Sequence, residues 1–198
     1  MTVVEDVVVV KRLGSVEYVP TWHAMREFTR ARDESTPDEL WLLEHPAVYT
    51  IGQGGKAPPV DAIRVDRGGE VTYHGPGQVV LYTLVDLARR AIKVKSFVCL
   101  LEQVVIDLLG GGAERKPGAP GVYVDGAKIA ALGIRVVRGR AYHGLALNVD
   151  MDLTPFSRID PCGYPGLRVT QMKDLGFSQT PQFVGERLVE MVLKKLDA

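Results

Sequence analysis

The sequence predicts an α+β fold, and three observations carry that reading. Strand-like runs with tight-turn signals between them fill residues 121–149: Gly121–Val124 and Ala127–Val137 flank Asp125-Gly126, and Ala141–Val149 follows Arg138-Gly139-Arg140. Further strand-like runs precede them, at Leu40–Glu44, Val48–Ile51 and Gln78–Leu84. Only three stretches have helical spacing, and they do not alternate one-to-one with the strands. Hairpin-linked strands with a few intervening helices indicate α+β rather than a doubly wound parallel sheet.

The elements follow in chain order. Val7–Val10 is a β-branched run and reads as a buried strand. Pro20 to about Arg32 reads as a helix with Trp22, Met25, Phe28 and Thr29 near one face. The strands at 40–44 and 48–51 surround His45-Pro46, and a Gly- and Pro-rich loop runs from Gly52 to about Pro59. A short strand is expected near Arg64-Val65. Ser96 is placed to cap a helix that ends at Gly110, with Phe97, Leu101, Val104, Val105 and Leu108 on its apolar face. The last helix has Thr180 as N-cap, Pro181 at its first position and Lys194-Lys195 in its last turn.

With 198 residues and no linker or repeat, the chain is expected to form a single domain, 1–198. Lys plus Arg equals Asp plus Glu, 24 each, so no overall basic field supports nucleic-acid binding. The start, Met1-Thr2-Val3-Val4-Glu5-Asp6, carries acids where a signal peptide carries bases. No apolar stretch approaches the roughly 20 residues that span a bilayer, so no membrane partner is expected. The two cysteines sit in unlike settings, which argues against a disulfide and for a cytoplasmic location. No Cys-x-x-Cys pair or His-Glu-x-x-His motif is present and the four histidines are scattered, so neither a metal nor a cofactor is expected.

Three polar islands stand out. The first is Arg67-Gly68-Gly69-Glu70-Val71-Thr72-Tyr73-His74-Gly75-Pro76-Gly77-Gln78, which reads as a binding loop anchored on the following strand. Its glycines let the main chain approach a ligand closely, although such loops are often only hairpins. The second is Lys128, in a window (126–133) whose other residues are small or apolar. A buried lysine must be paired or lose its charge; a lysine at a strand edge reaching water is the commoner outcome when Lys128 is taken alone. The third is Cys162, held between Pro161 and Gly163, a corner from which a sulfur can be presented. On the residues alone, nucleophile and small buried hydrophobe stand level for Cys162. Cys99, inside an apolar helical run, reads as packing.

Lys128 and Cys162 together make a coherent chemistry. An ammonium beside a thiol, whose pKa is ordinarily about 8.5, stabilises the thiolate and activates it for acyl transfer from a thioester. Backbone N–H groups at Gly68-Gly69, or beside the nucleophile, would stabilise an oxyanion. Tyr73, His74 and the small residues Ala131, Gly133, Gly144 and Ala146 would line a narrow acyl channel. His143 reads as a hydrogen-bonded structural histidine and His74 as a pocket wall rather than a base.

These residues fall in motifs that resemble those of the lipoyl(octanoyl) transferases. The matching stretches are Arg67–Gln78, Lys128–Gly133, His143–Val149 and Pro161-Cys162-Gly163, in the family's order, with a weaker match over His45–Gly52. The resemblance implies a biotin/lipoate protein ligase-like α+β fold, a mixed or antiparallel sheet with flanking helices. It implies Cys162 as acyl-thioester nucleophile and Lys128 as the group that lowers its pKa. It also implies substrate contacts from Arg67, Gly68, Gly69, Glu70, Val71, Thr72, Tyr73 and His74, from Ala131, Leu132 and Gly133, and from Gly144, Leu145 and Ala146. The implied donor is octanoyl-acyl carrier protein. The implied acceptors are lipoyl domains of 2-oxoacid dehydrogenase E2 subunits and the glycine cleavage H protein. Ala47, Thr83, Tyr123 and Ala141 depart from the residues usual at those positions.

Three other readings compete. An ATP-dependent lipoate or biotin ligase would need phosphate-binding loops and no cysteine; Arg138-Gly139-Arg140 reads better as a hairpin turn. A non-catalytic lipoyl-domain binder would not need the Cys162–Lys128 pair. A cysteine hydrolase would release free acid. Arg64, Arg67, Arg135, Arg138, Arg140 and Arg168 are candidates for a local basic patch facing an acidic carrier.

Overall fold

The N-terminal apolar run forms strand β1 (Val8–Ser15), which pairs in parallel with β2 (Asp38–Glu44). Parallel neighbours need a crossover connection, and helix α1 (Tyr18–Ala31) provides it. The computed structural model describes residues 7–56, 58–160 and 166–197. β2 is followed by β3 (Val48–Ile51), β4 (Ile63–Arg64), β5 (Val71–His74) and β6 (Gln78–Leu84). Helix α2 (Val94–Leu109) leads into four strands: β7 (Ala113–Lys116), β8 (Ala119–Val124), β9 (Ala127–Val137) and β10 (Arg140–Asn148). Helix α3 (Pro181–Leu196) follows.

Seven strands form one mixed sheet in the order β1-β2-β6-β10-β9-β8-β7, and β4-β3-β5 form a second, smaller one. Helices α2 and α3 cover one face of the large sheet. There Phe97, Leu101, Leu188 and Val192 pack against Leu81, Leu145 and Leu147. Helix α1 covers part of the other face, where Met25 meets Trp41, Tyr82, Tyr142 and Ala146. The small sheet lies beside α1 on that face, tied down where Gly68 N–H donates to Ile134 O at 3.0 Å.

Several expectations hold at the level of individual residues. Asp125 and Gly126 have φ of 48° and 77°, and Arg138 and Gly139 have 51° and 79°, the positive values that two-residue hairpin turns need. Thr180 caps α3 by accepting from Phe183 N–H, with Pro181 leading the helix. Gly110 ends α2.

Other expectations need correction. Ser96 is not the cap of α2: the helix starts at Val94, Lys93 occupies the cap position, and no side chain bonds there. The stretch 67–78 is not one loop, because Val71–His74 pair antiparallel with Val48–Ile51 and become a strand. β1 extends to Ser15, past the hydrophobic run. β7 was hidden in the polar sequence Ala113–Lys116, which pairs as an edge strand against β8.

A buried ionic knot fixes the start of β2. Asp38 is fully buried and accepts from Arg32 at 2.6 Å, Arg89 at 2.7 Å, Arg90 at 2.6 Å and the Asp86 N–H at 2.8 Å. Burial works against its charge, but Arg90 and its other donors outweigh that and hold the carboxyl below its ordinary range. Arg90 also donates to Leu196 O at 3.0 Å, so the same carboxylate ties β2 to the end of α3.

Gly77 shows how tightly the β5–β6 turn is pressed onto the sheet. Its carbonyl accepts from Val149 and Asp150 N–H, its φ is 84°, and a Cβ there would lie 1.8 Å from Asp150 O. Backbone cannot yield cheaply to such a clash. Gly77→Ala is expected to cost about 3 kcal/mol, read as a lowered midpoint in urea unfolding; a midpoint within error of the parent chain refutes the close approach.

Candidate active site

A cavity of about 480 Å³, counting its open mouth, lies between the small sheet and the α1 face of the large one. One wall is Arg67, Gly69, Glu70, Val71, Thr72 and His74. The opposite wall is Ala131, Leu132 and Gly133 of β9 with Gly144, Leu145 and Ala146 of β10. Ala131 stands directly opposite Ala146, and Gly133 opposite Gly144, so two cross-strand pairs of small residues make a trough. Twelve of the fourteen expected substrate-contacting residues therefore line one space. Gly68 lines an adjoining cleft with Gly118, Pro120 and Ile134. Tyr73 turns the other way: alternation along β5 sends its ring to Tyr49 and Phe156, at 5.1 and 5.6 Å.

The polar groups of the first wall are heavily engaged. Arg67 is not a docking group: it is buried and donates to Thr50 O, Thr50 Oγ1 and Gly68 O at 2.9–3.1 Å. The Gly68 N–H is committed to Ile134 O and does not serve an oxyanion. Arg140 likewise turns inward, to Asp86 and the Arg32 carbonyl. Arg64, Arg138 and Arg168 remain exposed.

His74 is a wall, as expected. Its Nδ1–H donates to Gln78 Oε1 at 2.7 Å. Burial, reinforced by neighbouring His45, pushes its pKa down to about 3, so the ring is neutral. His45, which the sequence places between two strands, is fully buried: Nδ1 lies 2.6 Å from Val16 O and Nε2 2.7 Å from Tyr82 Oη. Tyr18, Val80, Tyr82 and His143 also line the cavity. Val80 and Tyr82 share a face by strand alternation, a signal present in the sequence; Tyr18 gave none.

Lys128 lies at a small recess that adjoins the cavity, Thr72 and Ala131 lining both. It is 4% exposed, with Nζ donating to Pro120 O at 2.9 Å and standing 5.4 Å from the Tyr123 ring centre. Gly121 makes room: a Cβ there would lie 2.4 Å from Lys128 Cε. This lysine is neither a surface group nor at a sheet edge, since β9 lies between β10 and β8.

The segment after residue 165 comes back to Lys128. Lys128 N–H donates to Arg168 O at 2.8 Å, and Thr170 N–H donates to Lys128 O at 2.9 Å, a short parallel bridge. On the other side of the gap, Phe156 and Ile159 pack with Val71 and Tyr73. Cys162, with Pro161 and Gly163, lies outside the described residues. Among those residues no group of three or more His, Cys, Asp or Glu could hold a metal ion, and no helix is long and apolar enough to cross a membrane.

One hydrogen-bond chain unites these parts. Gln78 accepts from His74 and donates to Tyr73 O at 3.2 Å and Asn148 Oδ1 at 2.9 Å; Asn148 donates to Thr170 O at 3.0 Å. Thr170 then bonds Lys128. Gln78 closes one of the motifs singled out in the sequence and Asn148 lies within another, but their role as connectors had no sequence signal.

A sheet of this topology with a cavity on its α1 face is a known arrangement, and comparison identifies it. Residues 17–193 match the model of the lipoyl protein ligase A/B catalytic domain. The chain therefore belongs to that family. It is 60% identical over 197 residues to the octanoyltransferase of Aromatoleum aromaticum, covering 95% of this chain and 85% of that one. It is 56% identical to the octanoyltransferase of Dechloromonas aromatica, covering 96% and 97%. A putative lipoate protein ligase of T. acidophilum with bound lipoic acid superposes with a TM-score of 0.75 at 18% identity, covering 96% of this chain and 86% of that one. The fold is thus the biotin/lipoate protein ligase-like one, and the chain is an acyltransferase.

Two outcomes follow. Gln78→Leu is expected to leave His74 Nδ1–H and the Tyr73 carbonyl unpartnered and to lower stability by about 2–4 kcal/mol; a urea midpoint matching the parent would remove the network from its structural role. The depressed pKa of His74 also sets a pH dependence. Unfolding restores a value near 6.5, so between about 6.5 and 3 the unfolded chain binds a proton the native ring refuses. Stability is then full above the upper limit and falls as pH drops through the window. His45 and His143, both lowered by burial, act in the same direction. His74→Phe should flatten the slope of unfolding free energy against pH between 7 and 5, and an unchanged slope would contradict the assignment.

Proposed function

We propose that the chain transfers an octanoyl group from octanoyl-acyl carrier protein to the lysine amine of a lipoyl domain, working as one catalytic domain. The acceptors are lipoyl domains of 2-oxoacid dehydrogenase E2 subunits and the glycine cleavage H protein, in a cytoplasmic setting. The Cys162 thiolate attacks the donor thioester carbonyl, the carrier sulfur leaves and takes a proton from the Lys128 ammonium, and a Cys162 thioester forms. The acceptor amine attacks that thioester; an amide forms, the Cys162 thiolate is released, and the amine proton passes to the now neutral Lys128 amine, which restores the ammonium. The Lys128 ammonium favours the thiolate in both halves of the cycle.

The observation that carries this reading is the pairing of Arg168–Thr170 with Lys128 beside the cavity. Cys162 precedes Arg168 by six positions and follows Ile159 by three; Arg168 bonds the Lys128 main chain, and Ile159 packs with Val71, Tyr73 and Phe156, of which Phe156 lines the recess at Lys128. The trough of Ala131, Gly133, Gly144 and Ala146 suits an unbranched acyl chain. Each buried methylene contributes about 0.8 kcal/mol, enough for such a slot to select by length. An ATP-dependent ligase reading loses its one sequence cue, because Arg138 and Gly139 form the β9–β10 turn.

Intact-mass measurement after mixing the chain with octanoyl-acyl carrier protein, without ATP, tests the proposal. The expected result is an octanoyl adduct on the parent chain, absent from Cys162→Ser, and its transfer to an added lipoyl domain as an acyl-lysine. Lys128→Ala should shift the pH profile of Cys162 alkylation upward by about one to two units. Full turnover by Cys162→Ser eliminates the nucleophile, a need for ATP favours the ligase, and free octanoate as product favours the hydrolase.

A further inference from the structure

The end of the cavity away from Lys128 is chemically unlike its walls. His143 lines it, is 1% exposed, and carries a φ of 61° within β10. A regular strand sends successive side chains to opposite faces. Here Tyr142 and His143 stack at 5.0 Å and reach the same carboxylate, Asp66, through Oδ2 and Oδ1. The sparsely populated torsion is what turns the imidazole to the cavity side of the sheet, and such strain gathers at functional sites.

Asp66 is held by Trp22 Nε1 at 2.8 Å, Tyr142 Oη at 2.5 Å, Arg26 Nε at 3.5 Å and His143 Nε2 at 3.0 Å. Burial disfavours its charge, but the donors from His143, Tyr142 and Trp22 outweigh that and keep it ionised. An ionised carboxylate only accepts, so Nε2 carries the His143 proton. Burial keeps the ring from taking a second proton, and Nδ1 is left as a bare acceptor. It is buried and has no hydrogen-bond partner among the described residues. The neighbouring Tyr82 hydroxyl is engaged with His45, and the Tyr18 hydroxyl lies among Thr50, Arg67 and Tyr82.

The position of this nitrogen along the trough is informative. Ile134 stands opposite His143, and Lys128 precedes Ile134 on β9 by six positions, roughly 20 Å along a strand. The lysine stem and an extended eight-carbon chain, about 9 Å from its bond lengths, cover most of that span. The distal carbons of an acyl chain held at the Lys128 end therefore approach His143.

We propose that His143 Nδ1 is a specificity-determining acceptor that recognises a hydroxyl or thiol near the far end of a medium-chain acyl group. The cavity then takes acyl groups with a distal hydrogen-bond donor at least as well as plain octanoyl. A purely apolar slot would reject them, since it would bury the donor unpaired. Asp66 is the positioning residue that fixes the tautomer. This assignment rests on the acyl-transfer reading for its orientation, not for the existence of the acceptor.

The test compares octanoyl-, 7-hydroxyoctanoyl- and 8-hydroxyoctanoyl-acyl carrier protein in pairwise competition, read as masses on a lipoyl domain. The parent chain should use at least one hydroxyacyl donor as well as octanoyl. His143→Phe should lower that hydroxyacyl-to-octanoyl ratio about tenfold, and His143→Asn, which tolerates positive φ and keeps an acceptor, should retain it. A ratio unmoved by His143→Phe overturns the proposal. Two-bond ¹H–¹⁵N NMR of the parent chain with the free acids gives a readout independent of chemistry. The His143 Nδ1 signal should move with a hydroxyoctanoic acid and stay with octanoic acid; equal behaviour with both overturns the proposal. If no donor is turned over but the NMR response appears, the transfer reading fails and the acceptor site stands.

Discussion

The Gln78 side-chain amide is the joint on which the site depends. It is buried, it accepts from His74, and it donates to the Tyr73 carbonyl and to Asn148. Through Asn148 the chain of bonds reaches Thr170 and then the Lys128 main chain. Four stretches that are distant in sequence thereby share one register: β5 with β6, β9, β10, and the segment leading to α3. Buried polar groups are stable only when every donor and acceptor is matched. Such a network admits one arrangement, and that arrangement brings Lys128 and the small-residue trough together.

The site is otherwise built by subtraction. Cross-strand pairs normally stabilise a sheet by filling the space above it. At Ala131–Ala146 and Gly133–Gly144 the sheet gives up that packing and leaves a channel. The missing packing is offset around the rim, where Arg67 donates to Thr50, Tyr82 bonds His45, and the buried Tyr18 lies beside them. The Asp38 knot does similar work at the start of β2, clamping α1, β2 and α3 without touching the cavity.

Much of this was legible in the residues. The hairpins around Asp125-Gly126 and Arg138-Gly139 were readable because positive φ demands particular residues, and the cap at Thr180 because its geometry is local. The trough was readable because alanine and glycine recur at a period of two on both its strands. What depended on distant partners was not. Val71–His74 become a strand only because Val48–Ile51 lie beside them, and Ala113–Lys116 only because β8 offers an edge. His45 carried no sign of its burial, and Gln53 none of its bond to Arg135 at 2.7 Å. Tyr73 was grouped with its neighbours by motif, while the pleat assigns it to the opposite face.

Strand β9 carries Lys128 near one end and the small residues further along, so lysine and trough share one straight support. Positions on one face of a strand recur about every 6.6 Å, close to the length of five methylenes at bond spacings of about 1.5 Å. A ruler graduated that coarsely cannot by itself tell eight carbons from seven or nine. Finer measurement of a bound chain must come from side chains that enter the channel sideways, from α1 and β6, where Tyr18 and Val80 protrude. Gradual drift in acyl length among related sequences would then be written on those two elements, while β9 stays the same.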